Sequence, residues 1–260
     1  MKKLLLTLSL LSLLPLNSLA ETAEEKGLAI AKEAEQRNTG WRNSKAKMVM
    51  KLISKSGDTS SRQIRVQSLE VENDGDKSLT IFDEPKDVEG TAFLSFSHAQ
   101  RPDEQWLYLP ALKRVKRISS SNKSGPFMGS EFSFEDLSSF ELEKYNYKYL
   151  RDDEIDGKPV YVVESYPTYE HSGYTRLVNY IDQKEYRILK TEYYDRKNAL
   201  LKTLVNSEYK LYLDDYWRAH KMEMQNHQKG KATILTWSDY EFQTGVDERD
   251  FSKNALKRIR

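Results

Sequence analysis

YRILKTEYYDRKNALLKTLVNSEYKLYLDDYWRAHKMEMQNHQKGKATILTWSDYEF, residues 186–242, holds four β-rich segments: YRILKTEYYD (186–195), ALLKTLVNSEY (199–209), RAHKMEMQNH (218–227) and KATILTWSDYEF (231–242). Apolar and polar residues mostly alternate in each, and Val, Ile, Thr, Tyr and Trp recur. Each is therefore predicted to be a half-buried strand. The links Arg196-Lys197-Asn198 and Lys229-Gly230-Lys231 are short and carry turn residues, so the strands they join are antiparallel.

The same pattern extends towards the N-terminus in KAKMVMKLIS (45–54), SRQIRVQSLEV (61–71), KSLTIF (77–82), EQWLYLP (104–110), KPVYVVESY (158–166) and TRLVNYID (175–182). Turns stand between them at Ser56-Gly57-Asp58, Asn73-Asp74-Gly75-Asp76, Asp156-Gly157-Lys158 and Asp182-Gln183-Lys184. The chain thus reads as mainly β with few helices (α+β), with about ten to eleven antiparallel strands. A sheet that wide, with one helix at each end, cannot hide both faces. It is predicted to curl into a barrel or half-barrel whose concave face encloses a core or a cavity.

Before the strands, TAEEKGLAIAKEAEQRNTGW (22–41) places Ala23, Gly27, Ile30, Ala31 and Ala34 on one helical stripe, with acids leading. The stripe is shallow and made of small residues, which suits packing against a sheet. VDERDFSKNALKRIR (246–260) reads as a second short helix with Phe251, Leu256 and Ile259 on its apolar side. Residues 1–20 carry Lys2 and Lys3, an apolar run from Leu4 to Leu14, and Ser18-Leu19-Ala20, the layout of a cleaved secretory signal. This predicts residues 1–20 as signal peptide, residues 21–260 as one domain, and a periplasmic location with only peripheral or transient membrane contact.

Lys and Arg number 41 against 40 Asp and Glu, and there is no cysteine. The balance argues against nucleic acid as partner, and thiolate chemistry is excluded. Four scattered histidines, His98, His171, His220 and His227, form no metal-ligand spacing, and there is no nucleophile elbow or phosphate-cradling glycine loop. His220 and His227 read as half-exposed polar residues. Asp152, Glu154, Asp156 and Gly157 resemble the start of a calcium loop, but position twelve is Val163 where a bidentate Glu is needed, which leaves a solvated β-turn. No catalytic residue, metal or cofactor is assigned, and the expectation is a protein that is not an enzyme.

The candidate binding residues are apolar. Met48, Met50 and Leu52 share one face of a strand, and Met222 and Met224 share one face of another. Methionine adapts to irregular ligands and equally fills gaps in a core. Trp41, Trp106 and Trp237 are candidates to line or rim the same space. The regular meander breaks at residues 85–142, where SSSNKSGPFMGS (119–130) presents Phe127 and Met128 among Ser and Gly as exposed-looking apolar residues. A short helix is predicted over 133–139, capped by Ser133 with Asp136 at its third position. The basic run Lys113, Arg114, Lys116 and Arg117 fits anionic head groups or an acidic partner, or else a charged edge strand that resists aggregation.

GTAFLSFSHAQRPDEQWLYLPALKRVKRISSSNKSGPFMGSEFSFEDL (90–137) resembles the signature of the bacterial outer-membrane lipoprotein-sorting family, relatives of the periplasmic lipoprotein carrier LolA. The residues that carry the resemblance are Gly90 to Phe93, Trp106 to Leu112 with the basic tail to Ile118, Met128 to Ser130, and Phe132, Phe134, Glu135, Asp136 and Leu137. It implies a LolA/LolB-like unclosed antiparallel β-barrel wrapped round short helices. It also implies a carrier that binds lipid or lipoprotein acyl chains in an apolar cavity, for transport or sorting towards the outer membrane. The alternative it implies is an accessory module docking on an inner-membrane exporter of the resistance-nodulation-division (RND) type. Met48, Met50, Leu52, Phe93, Trp106, Phe127, Met128, Phe134, Met222 and Met224 are the expected cavity or cover residues, with the 119–137 loop as a movable cover. Lys113, Arg114, Lys116 and Arg117 are the expected head-group or partner contacts.

Overall fold

The computed structural model describes residues 21–256, so the predicted signal peptide and Ile259 lie outside the described residues. Its first element is helix α1 (Ala23–Gln36), opened by a reciprocal capping box between Thr22 and Glu25. Gly27, Ile30 and Ala31 are its buried residues, as the small-residue stripe requires.

Thirteen strands follow: β1 (Asn43–Ile53), β2 (Thr59–Leu69), β3 (Lys77–Glu84), β4 (Ala92–Phe96), β5 (Glu104–Leu109), β6 (Arg114–Ile118), β7 (Tyr145–Ile155), β8 (Lys158–Pro167), β9 (Tyr174–Asp182), β10 (Ile188–Asp195), β11 (Leu200–Tyr212), β12 (Tyr216–Asn226) and β13 (Lys231–Phe242). They form one antiparallel sheet in the order β6-β5-β4-β3-β2-β1-β13-β12-β11-β10-β9-β8-β7. The count exceeds the ten to eleven expected, and the sheet is unclosed because β6 and β7 remain as edges. From β1 the chain steps outward to one edge, crosses through residues 119–144 to the other, and returns inward until β13 pairs with β1.

Register assigns the two faces. Ala46, Met48 and Met50 of β1 sit opposite Val66, Ile64 and Arg62 of β2, while Met48, Met50 and Leu52 sit opposite Trp237, Leu235 and Thr233 of β13. The row continues through Met222 and Met224 of β12 to Asn206 and Leu204 of β11. These positions form the concave face. On the other face, Leu79, Leu94 and Trp106 form a second core with Val246, Phe251 and Leu256, where the short helix α2 (Lys253–Leu256) covers the sheet. Covered by the concave core through Phe93 on one side and by α2 on the other, the strand β4 is buried on both faces, and its AFLSF sequence shows no alternation. The Asp156-Gly157 hairpin, both residues at positive φ, is a plain turn between β7 and β8.

Candidate functional site

The concave face is filled at one end and hollow at the other. At the filled end the 119–144 crossing segment dips into the concavity and inserts Phe127 and Phe132, with Phe134 against them. Phe127 packs on Phe82, Phe93 and Phe134 with ring centroids 5.9, 5.1 and 5.5 Å apart. Met48, Met50 and Met224 are buried against this plug, and Leu52, Met128 and Met222 pack beside it. Phe127 is 1% exposed, so its reading as a surface residue is corrected: Ser and Gly neighbours describe the turn backbone, and this side chain points inward. Met128 is half-buried at positive φ.

The segment is also bolted down. Lys202 Nζ on β11 contacts Asp136 Oδ2 at 2.5 Å, with both side chains almost fully buried, and donates to the Glu131 carbonyl at 2.9 Å. Ser133 and Asp136 exchange bonds at 2.7 and 3.2 Å, but the helix predicted over 133–139 is a single 3₁₀ turn (Glu135–Leu137) whose cap residue, Phe134, makes no side-chain cap bond. Glu135 accepts from Tyr169, Ser172 and the Gly173 N–H. Asp103 receives Lys123 at 2.9 Å and also Lys144. Burial works to raise the Asp103 pKa, yet the two ammonium groups hold it below its usual value. The segment thus sits as a plug inside the concavity, tied to the sheet by these bonds.

Beyond the plug lies a cavity of about 1040 Å³ between the concave face, α1 and residues 136–140. Of the expected residues, Phe93 and Met222 line it, together with Trp41 and Trp237. Trp106 does not, because register places it on the opposite face beside Phe96 and α2. The wall is more polar than expected. Continuing β1, β2 and β3 away from the methionines gives Ser44, Ser68 and Ser78, and Ser165, Asn179 and Asn206 enter from β8, β9 and β11. Some of these bond to one another: Asn179 Nδ2 donates to Ser165 Oγ at 3.0 Å and Thr191 Oγ1 to Asn179 Oδ1 at 2.9 Å. Trp237 Nε1 and Asn206 Oδ1 are buried without a partner among the described residues.

Charged residues also line this cavity, which the sequence pattern did not reveal. Arg218 lies there, its guanidinium 5.7 Å from the Trp41 ring and 5.4 Å from that of Phe242. Asp76 also lines it; burial, then the charge of Glu70, pushes its pKa up to about 6. Close by, Glu141 is pushed up to about 8 by burial and by Asp76. His98 is buried, with Nδ1 2.7 Å from Asp74. Burial opposes the ionised form of Asp74, but hydrogen bonds from His98 and two backbone N–H groups bring it to about 2. His220 is buried as well, bonded to Tyr212 Oη at 2.8 Å, which corrects its half-exposed reading.

The basic run forms the edge strand β6. Register splits it: Arg114 and Lys116 share the face of Leu109 and Leu107, while Arg117 sits opposite Trp106 on the other face. All three are exposed, as is Lys113 in the preceding turn, and Arg117 lies 3.6 Å from Glu104. Among the described residues no three His, Asp or Glu side chains gather to hold a metal ion, and no helix is long and apolar enough to cross a membrane.

Comparison with known proteins follows the same lines. A family model described only as "-like: Uncharacterized protein" matches residues 74–258. The crystal structure of a protein domain from Vibrio parahaemolyticus, described as outer membrane lipoprotein-sorting, is similar at 60% identity and TM-score 0.89, covering 90% of this chain and 100% of that one. A DUF1329 family protein from Desulfovibrio piger is similar at 28% identity and TM-score 0.86, covering 90% and 99%. A LolA superfamily protein from Nitrosomonas europaea shares the fold at 20% identity and TM-score 0.70, covering 91% and 100%. No curated protein matches the chain.

Proposed function

The chain belongs to the outer-membrane lipoprotein-sorting family of LolA-like proteins, and from that membership we propose that it is a periplasmic, non-enzymatic carrier that takes acyl chains of a lipid or lipoprotein into its cavity for transport towards the outer membrane. The observation that carries this is the hollow end of the sheet, about 1040 Å³ bounded by α1 and residues 136–140. Binding cavities for small molecules run to roughly 300–1,000 Å³, so the space is large enough for a lipid-sized guest. Phe93, Met222, Trp41 and Trp237 supply apolar wall. Each methylene they remove from water contributes about 0.8 kcal/mol, so ordinary acyl chains bind without needing many polar contacts.

The plug residues Phe127, Met128 and Phe134, with Met48, Met50, Leu52 and Met224 packed against the plug, form the floor beneath the guest. Purification from the native periplasm, native mass spectrometry and lipid extraction test the reading. A stoichiometric lipid or acylated peptide is the expected result. A bare protein mass, together with no uptake of a fluorescent fatty acid, overturns it.

The exposed basic edge favours a second reading, docking on an RND-type inner-membrane exporter through Lys113, Arg114, Lys116 and Arg117. An open edge strand lined with cations offers both unpaired backbone groups and charge to an acidic partner. Reversing Arg114 and Lys116 to Glu should abolish capture of the transporter from solubilised membranes. Undiminished capture removes this reading.

A further inference from the structure

We propose that the cavity guest is an anionic amphiphile, whose charged head group is received by Arg218 and Trp237 while its chain runs towards Phe93 and Met222. The proposal rests on the carrier reading and adds the chemical class of the cargo.

Arg218 is set apart among the cations of the wall. Arg37 lies 2.7 Å from Glu33, Lys77 2.6 Å from Glu248 and Arg187 2.6 Å from Asp182. Arg218 has no carboxylate within 4.0 Å among the described residues. Its Nη1 donates to two neutral oxygens, Asn38 Oδ1 at 2.7 Å and the Trp217 carbonyl at 3.0 Å. Trp41, Tyr216 and Phe242 surround the guanidinium at 5.7, 5.9 and 5.4 Å, which fixes its place without neutralising it. Burial lowers its pKa, the mark of a cation held partly away from water.

Two carboxylates lie near enough to act through their field. Glu70 is engaged by the Gly40 and Arg42 N–H groups at 2.6 and 2.7 Å. Asp76 is the other, and its own ionisation is opposed by burial and by Glu70. Neither makes the bidentate contact that a buried guanidinium ordinarily finds.

A second donor stands in the same wall. Trp237 stacks on Tyr240 at 5.7 Å, Tyr240 on Phe242 at 6.1 Å, and Trp237 Nε1 is buried without an acceptor. One aromatic tier therefore carries a desolvated cation over Phe242 and, at Trp237, a buried N–H donor that has no acceptor among the described residues. An oxyanion answers both, and a carboxylate and a phosphate supply it equally. Asn206 Oδ1 is a further unpartnered acceptor among the described residues, suited to a hydroxyl, which a glycerol-based head group has and a free fatty acid lacks.

Binding of oleic acid, oleoyl lysophosphatidic acid and neutral monoolein to the delipidated full chain tests this. Both anions should bind at least about tenfold tighter than monoolein, as expected for hydrogen bonds to a charged partner. Tighter binding of the lysophosphatidic acid identifies a phosphate-glycerol head, and parity with oleic acid a bare oxyanion. Arg218→Met should erase the preference for anions, read as the ratio of anion to monoolein affinity in the same variant. Arg218→Lys should retain it, which separates lost charge from lost fold, and Trp237→Phe should reduce it. Equal binding of all three lipids by the wild-type chain, or an unchanged preference in Arg218→Met, overturns the head-group assignment and leaves the carrier reading standing. No binding of any of them defeats the carrier reading itself, and this inference with it.

Discussion

Phe127 and Lys202 show what single positions concealed. Phe127 sits in a run of Ser, Gly and Pro that signals an exposed turn, and the backbone does turn there, but its ring is the centre of the concave core. Local composition reports backbone conformation and says nothing of where one side chain points. Phe127→Ala should therefore cost about 3–5 kcal/mol in urea denaturation, the range for a buried aromatic, whereas Met128→Ala next to it should cost less than about 1 kcal/mol. A small loss at Phe127 would show that the plug is loosely held. Lys202 is a cation in a strand predicted to be half-buried, and the structure leaves it 3% exposed and paired with Asp136. Lys202→Met strands a buried carboxylate and should cost about 3–5 kcal/mol. Adding Asp136→Asn should recover a substantial part of that loss in the same measurement, because the amide carries no charge, its oxygen still accepts from the Ser133 N–H, and its NH2 can donate to the Tyr174 hydroxyl oxygen.

At the scale of elements, legibility followed burial. Strands with one wet face, β1, β2 and β10 to β13, announce themselves by alternation. Three did not. β4 is covered on both faces, β6 is a charged edge, and β7 is rich in tyrosine and ends in a run of acids. Helix α1 was legible from its small-residue stripe, and the structure gives the reason for the smallest member. A Cβ on Gly27 would stand 2.7 Å from the Tyr149 backbone nitrogen and 2.9 Å from Lys148 backbone atoms, so the helix rests directly on β7. Gly27→Ala gains up to about 1 kcal/mol of helix propensity, but it forces rigid backbones apart, which costs about 1–3 kcal/mol. The expected net result is a lower Tm, whereas Leu28→Ala, on the exposed side of the same turn, should leave Tm almost unchanged. A Gly27→Ala protein with raised Tm would mean that the helix can lift from the sheet without loss.

For the whole molecule, strand order explains both the plug and the hollow. A chain that winds outward to β6 and resumes at β7 must cross between the two edges, and the concave face is the short way across. The 119–144 segment fills the part it crosses, and the remainder is the cavity. Alternation could locate inward positions but not this route, which is why the methionines were recognisable as inward-facing and their occupation by the plug was not. The crossing ends beside the cavity at Glu141, next to Asp76, and this makes stability depend on pH in a definite direction. Both carboxyls have folded pKa values above their ordinary values of 4.5 and 3.8, at about 8 and about 6. The folded state therefore binds more protons than the unfolded chain between those limits. Their favourable contribution is complete below the ordinary values and is lost as pH rises through 6 and then 8. His220, with its pKa lowered by burial, opposes this below about 6.5, and Asp74 and Asp103 withdraw stability when they protonate in stronger acid. The difference between Glu141→Gln and wild type isolates one group from the rest. Glu141→Gln should match wild type near pH 4.5 and exceed it in Tm by more than roughly 2 °C at about pH 9, where only the wild type carries the buried Glu141 charge. A Tm difference that stays flat across that range would mean that Glu141 reaches water, and that the segment closing the cavity opens more readily than its bonds to Asp103 and Lys202 imply.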